Sequence, residues 1–319
     1  MRNLMLLVQE AAQSAASSTG PGAPGAPAGP PEGFSYSSML GELIRFVGSF
    51  LAVGAIGFRF GVVRRTPQLS DDSRVILRPD NAAVLGLLGA VLLAISAFWG
   101  PVFDSMTAHK TLSEALPKNM APFDFKVIMI ALAFIGFAIV RQSPTLGWLL
   151  AFVAVLLEIL QPLYTGRTAG KVNAVHVLAA STWLGTLLVL TIVGIRGVIG
   201  RGPVGTPRSR LVADLVASFS PLALAAATVV ALTGATTAWL HLKRLSALYT
   251  TGYGKALIIK LILVAIVVSL GGWNWRRVRP TLGEEGTEET IRRSSTMELT
   301  FGALVLIATA VLVTLPSPR

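Results

Sequence analysis

The chain contains three histidines, and each could contribute a nitrogen ligand to a metal ion. They are His109, His176 and His241, and Met106 and Met120 flank the first of them. Imidazole is a common copper ligand, and the thioether of methionine suits Cu(I). These five residues are therefore candidate copper ligands. A solvated loop histidine is the structural alternative for His109, and an interfacial histidine is the alternative for His241.

Other chemistry is poorly supported by the sequence. The chain has no cysteine, which excludes disulfide bonds, thiolate zinc sites and iron–sulfur clusters within it. We find no Walker loop, no dinucleotide-binding glycine pattern, no His-Glu-x-x-His and no plausible Ser-His-Asp set. Bis-histidine haem ligation would need two facing histidines inside membrane spans, and only His176 qualifies comfortably. Haem is therefore not expected, and we expect no enzymatic activity.

The composition places these residues in a membrane protein. Of the 319 residues, 53% are hydrophobic and 13% are charged, and the mean hydropathy is +0.66. A soluble domain carries about 25% charged residues and could not bury this much apolar surface. The net charge of +11 fits Lys and Arg in cytoplasmic loops better than nucleic-acid binding. The sequence predicts an all-α integral membrane protein whose surface contacts the lipid bilayer.

Eight apolar stretches are long enough to cross a bilayer, which takes about 20 helical residues. We predict them at 39–63, 82–103, 124–141, 144–163, 174–195, 215–240, 254–275 and 294–315. Only Gln142 and Ser143 separate the third stretch from the fourth, which predicts a helical hairpin. Residues 1–37 are rich in Pro, Gly and Ala and predict a disordered arm. A weak internal repeat favours two four-helix halves, 38–163 and 164–319.

Lysine and arginine are unevenly divided between the predicted connections. The odd-numbered connections carry fourteen, and the termini with the even-numbered connections carry nine. Because cytoplasmic loops are enriched in Lys and Arg, we predict that both termini lie outside the cytoplasm. All three histidines then lie on the outer side as well.

Ionisable residues inside the predicted spans cluster in the outer half of the membrane. They include Glu42 and Arg45 in the first span, Glu158 in the fourth and Lys260 in the seventh. Such residues are costly in lipid and often mark an ion pathway. We predict that Glu158 and Lys260 share a depth and form a buried pair. Charge pairs and snorkelling side chains with no role in transport are the alternative.

The second half of the chain carries an ordered series of short motifs. Residues His176 to Gly185 read HVLAASTWLG and include Trp183, and Thr233-Gly234, Lys260 and Glu298 follow in later helices. This series resembles the CopD copper-resistance family of bacterial inner-membrane proteins, over roughly residues 170–316. The resemblance implies copper handling at the cytoplasmic membrane, generally described as uptake from the periplasmic side.

Two departures from the family pattern bear on the copper site. Family members often carry a histidine shortly before the fifth span, where this sequence has Arg167. The usual double glycine after the tryptophan is Gly185-Thr186 here. We predict copper uptake or transfer, with a periplasmic copper-binding protein as a partner. An accessory subunit or assembly factor of a membrane redox complex is the main alternative, and a haem-binding electron carrier is a third.

Overall fold

The computed structural model describes residues 35–66, 80–109, 111–118, 120–201, 206–242, 246–273, 276 and 287–315. Every regular element in these ranges is helical. Most of the predicted N-terminal arm, residues 1–34, lies outside the described residues. So do the residues after 315.

Eight helices are long and apolar enough to cross a membrane, which confirms the predicted fold class. They are α1 Tyr36–Arg65, α2 Asn81–Thr107, α3 Met120–Ile139, α4 Pro144–Leu160, α5 Thr168–Arg201, α6 Thr206–Leu242, α7 Gly252–Trp273 and α8 Thr287–Thr314. Short helices occupy Leu112–Ala115, Pro162–Thr165 and Ala247–Thr250 in the connections. The chain is thus a multi-pass membrane protein.

The predicted hairpin between the third and fourth spans is present. Helix α3 ends at Ile139, a turn follows, and Pro144 is the first residue of α4. Proline suits this position because it lacks the N–H that the first helical turn leaves unpaired.

Helices α1 and α5 form the centre of the bundle. In their apolar windows 78% and 67% of the residues are buried, against 17% in those of α6 and α7. Helix α1 packs against α2, α4, α5, α6 and α8, and α3 lies outside α2 and α4. Helix α7 packs mainly on α8. One apolar core includes residues from both predicted halves, and the division at residue 163 stays a prediction.

The two central helices touch backbone to backbone. A Cβ atom on Gly54 of α1 would collide with the carbonyl group of Gly185 in α5. A Cβ atom on Gly185 would in turn collide with the carbonyl oxygen of Phe50. Close approach through small residues is the usual way to pack helices in lipid, where the hydrophobic effect does not drive helices together. Glycine is therefore required at this crossing.

Helix α5 departs from regular α-helical geometry at two places. Residues Ser181–Gly185 and Leu190–Ile195 form π-helical turns, and α1 has a similar turn at Phe58–Val62. Such turns are rare and frequently lie near functional sites. The π-helical turn at Ser181–Gly185 begins about one helical turn after His176.

Candidate functional site

Several polar residues of the membrane spans lie at one end of the bundle. Because successive helices alternate in direction, the start of α5, the end of α6 and the start of α7 lie at the same end. His176, Thr233 and Lys260 occupy these three positions. This end also holds the start of α1 and α3 and the end of α4, which carry further charged residues.

His176 faces α6 and not the lipid. Its Nδ1 atom lies 2.9 Å from the Thr233 hydroxyl oxygen. The neighbouring Gly234 provides room for the ring, because a Cβ atom there would lie 3.3 Å from His176 Cε1. The structure therefore joins two motifs that lie on different helices. Sequence reasoning included Thr233 and Gly234 in the motif series, but it did not assign them to the site.

The hydrogen bonds of Thr233 favour one tautomer of His176. The Thr233 hydroxyl donates its single proton to the carbonyl oxygen of Val229, at 2.6 Å. We assign the ring proton of His176 to Nδ1, because the oxygen of this hydroxyl can then accept it. In this tautomer Nε2 carries the lone pair that could bind a metal ion, and the ring also has a hydrogen bond with the backbone of Val230. Neutral imidazole with one N–H held by a protein acceptor is the usual form of a metal-ligating histidine.

Lys260 places a positive charge near this ring. It interacts electrostatically with His176 across the bundle, and its own side chain is half-buried in α7. A cation bound at Nε2 would experience repulsion from the ammonium group. Lys260 therefore opposes tight retention of a metal ion at His176.

The other predicted ligands lie in or beside the connections. His109 and Met106 are exposed at the end of α2, and Met120 is exposed at the start of α3. The structure records no contact between these three residues and His176. His241 lies in α6, seven residues after Gly234 and so on the same helical face, but its side chain lies outside the described residues. Within the ranges described above, no group of three or more His, Asp or Glu side chains is placed to hold a metal.

The α2–α3 connection contains a short capped helix between these residues. The backbone N–H of Thr111 donates to Glu114 Oε2 at 2.9 Å. This hydrogen bond, with a second from the Thr111 hydroxyl, lowers the pKa of the Glu114 carboxyl. The connection that carries the loop histidine is therefore locally ordered by its own sequence.

The predicted pair of Glu158 with Lys260 is wrong. The cations that act on Glu158 are Lys126 of α3 and Arg45 of α1, whereas Lys260 acts on His176. The physical reason is that α4 packs on α3, α5 and α1, while α7 lies against α8. Residues at the same predicted depth on α4 and α7 are therefore not neighbours, because these two helices do not pack together.

Glu158 belongs instead to a charged cavity of about 120 Å³ between α1, α3, α4 and α5. Its lining residues are Arg45, Ser49, Lys126, Glu158, Ile159, Gln161, Pro162, Asn173, Ala174 and Val177. Sequence reasoning missed Lys126, although a lysine in the apolar run after Phe123 was the available signal. The Glu42–Arg45 pair beside the cavity is present, with the guanidinium donating to Glu42 Oε2 at 2.5 Å and 3.0 Å.

Part of the chain is similar to a known protein family. Residues 213–312 match the family model of copper resistance protein D, CopD. This stretch is similar to CopD. It contains most of α6 and nearly all of α7 and α8, with Thr233, Gly234 and Lys260, and His176 lies before it.

A curated relative supports the same conclusion. The chain is 27% identical over 191 residues to the copper transport protein CutJ of Bacillus subtilis (strain 168). The match covers 60% of this chain and 29% of the relative, so the chain spans less than a third of that protein's length. No solved structure matches the chain. Together the comparisons and the eight helices describe a copper-related membrane protein.

The remaining motif residues of the CopD resemblance have mainly packing positions. Trp183 is buried in the first π-helical turn of α5, and Gly185 lies at the crossing with α1. Glu298, in the CopD region, is buried beside Gly271 of α7. Gly271 is eleven residues, about 16 Å of helix, beyond Lys260. Glu298 therefore lies toward the other end of the bundle from His176.

Proposed function

We propose that this protein takes up copper or transfers it across the bacterial cytoplasmic membrane, without catalysing a reaction. The observation that carries the proposal is the contact of His176 Nδ1 with the Thr233 hydroxyl. This contact orients the imidazole, and in the tautomer that we assign Nε2 carries the lone pair that would bind the ion. The CopD match and the resemblance to the copper transport protein CutJ supply the choice of metal.

Copper enters this scheme as the transported ion and not as a resident cofactor. One histidine does not hold copper by itself, so a second ligand is needed. Among the predicted ligands, His241 lies on α6, and His109, Met106 and Met120 belong to or border the connection at the same end. The positive charge of Lys260 favours release of the ion once it is bound.

The orientation follows the distribution of basic residues. With the odd-numbered connections in the cytoplasm, the end of the bundle that carries His176 faces the periplasm. A periplasmic copper-binding protein would then deliver the ion to this end. Both termini would lie outside the cytoplasm.

Metal analysis of the purified protein tests the proposal. We expect bound copper in wild type and its loss in His176→Ala. Thr236→Val is the control, because this threonine lies on α6, the helix that contacts His176, and is exposed and bonded to a backbone carbonyl. Copper retained by His176→Ala would refute the site, and absence of copper from the wild type would refute the function.

One observation favours the accessory-subunit alternative. Arg167, exposed at the start of α5, stands where family members often carry a histidine. A chain that keeps the scaffold but lacks a ligand would assist a membrane redox complex without transporting copper. Copper-free protein that co-purifies with such a complex would support this role, and a Soret band would support the haem-binding alternative.

A further inference from the structure

The cavity beside α5 contains charges that the copper site does not use. Glu158 is only 8% exposed, yet no direct hydrogen bond or ion pair joins its carboxylate to any described residue. Lys126 interacts with it electrostatically from α3, and no ion pair within 4.0 Å joins the two among the described residues. Both groups therefore line the cavity without forming an ion pair.

This arrangement is unlike a structural ion pair. A buried pair compensates its desolvation only when the two groups are in good contact and their other hydrogen bonds are satisfied. Here the separation leaves both groups to be solvated by the cavity, whose volume of about 120 Å³ exceeds the about 30 Å³ of one water molecule. Asn173 is exposed and reaches the cavity from α5, which gives water access from the surface.

The charges select the kind of ligand that this cavity can bind. From α1, Arg45 is neutralised by Glu42; from α3, Lys126 faces Glu158; and α5 contributes no charged group to the lining. A metal cation would be repelled by Lys126, and an anion would be repelled by Glu158. A proton bonds directly to a carboxylate oxygen, removes its charge and needs no additional space.

We propose that the cavity between α1, α3, α4 and α5 is a proton-binding site, and that Glu158 carries a proton that moves when copper moves. The carboxylate takes the proton from hydronium in the cavity water, forming an O–H bond and releasing water, and returns it by the reverse step. The coupling rests on the proposed copper function.

Helix α5 connects the two sites. Asn173, Ala174 and Val177 face the cavity, and His176 lies on another face of the same two turns, about 100° around the helix. A displacement of this part of α5 therefore changes both sites together. Proton binding at one site and copper binding at the other are linked through a shared helix.

The test uses the full chain reconstituted in vesicles with a pH-sensitive dye and a copper indicator inside. Copper flux through wild type should be accompanied by a change of internal pH. Glu158→Gln should abolish the pH change while copper binding to the purified variant remains. Glu114→Gln is the matched control, because its carboxylate is exposed in the α2–α3 connection and bonds to Thr111 away from the cavity, and it should behave as wild type.

Infrared spectroscopy of the copper-free protein provides a second measurement that does not depend on transport. Acidification should produce a protonated-carboxyl band that is absent from Glu158→Gln and shifted but present in Glu158→Asp, which retains a carboxyl group. Copper flux with no pH change, or no band that depends on Glu158, would overturn the proton site and leave the copper function intact. Absence of copper flux with the band still present would overturn the copper function and, with it, the coupling.

Discussion

Replacing Thr233 with valine removes the hydroxyl that accepts the His176 ring proton and nearly preserves the shape of the side chain. In the wild type, Nδ1 lies 2.9 Å from this oxygen, whose own proton goes to the Val229 carbonyl. In Thr233→Val the ring loses its acceptor and can rotate or move the proton to Nε2. Either change removes the oriented lone pair that we assign to copper.

Thr233→Val should lose as much copper affinity as other metal sites lose when a ligating histidine is deprived of its outer hydrogen-bond partner. Removal of such a partner typically lowers metal affinity about 10- to 100-fold. This corresponds to about 1.4 to 2.8 kcal/mol of binding free energy. The measurement is competition for Cu(I) between the purified protein and a coloured chelator, at fixed pH and detergent.

Three variants on two helices make this result interpretable. Thr233→Ser keeps the hydroxyl and should bind as wild type. Thr236→Val removes an exposed hydroxyl with the same kind of backbone bond and should also be unchanged. His176→Ala should lose more affinity than Thr233→Val. If Thr233→Val bound copper as wild type while His176→Ala did not, the assigned tautomer would be wrong.

Three further predictions concern packing, charge and pH. Gly54→Ala introduces a Cβ atom against α5 and should lower the thermal unfolding midpoint, at a cost in stability of about 1–3 kcal/mol. Gly100→Ala adds a Cβ atom that meets nothing within 4 Å and should leave the midpoint unchanged. Equal shifts in the two variants would refute the close crossing of α1 and α5. Lys260→Met should tighten copper binding at His176 in the chelator competition, because a repelling charge is lost; weaker binding would contradict its assigned role. The Glu114 carboxyl, followed by NMR, should have a pKa below the about 4.3 of free glutamate. Its stabilisation of the short helix in the connection is therefore present at neutral pH and is lost as pH falls through the lowered pKa. A Glu114 titration at the ordinary value would contradict the capped turn.

Features that depend on neighbours along one helix could be predicted from the sequence. The eight spans follow from apolar length alone, and the hairpin follows from Pro144 and the short polar interval before it. The Glu42–Arg45 pair is also local, since a spacing of three residues puts both side chains on one face of α1. The predicted spans and hairpin are confirmed, and the Glu42–Arg45 contact agrees with the alternative of a charge pair.

Features that depend on which helices pack together could not be predicted. Glu158 and Lys260 share a depth, but depth says nothing about position around the bundle, and Lys126 is the cation that faces the carboxylate. The contact of His176 with Thr233 joins residues 57 apart in the chain. It depends on the close approach of α5 and α6, and Gly234 leaves the space for the ring. The roles of His109, His241, Met106 and Met120 as ligands stay predictions.

The crossing of Gly54 and Gly185 also limits how the protein can move. With their backbones in contact, α1 and α5 have no side-chain layer through which one could slide past the other. His176 is attached to this rigid pair, whereas Thr233 belongs to α6, a peripheral helix whose apolar window is only 17% buried. We expect the copper site to open by displacement of α6 from α5. That displacement would break the Nδ1–Oγ1 hydrogen bond, let the imidazole turn and so favour release of bound copper.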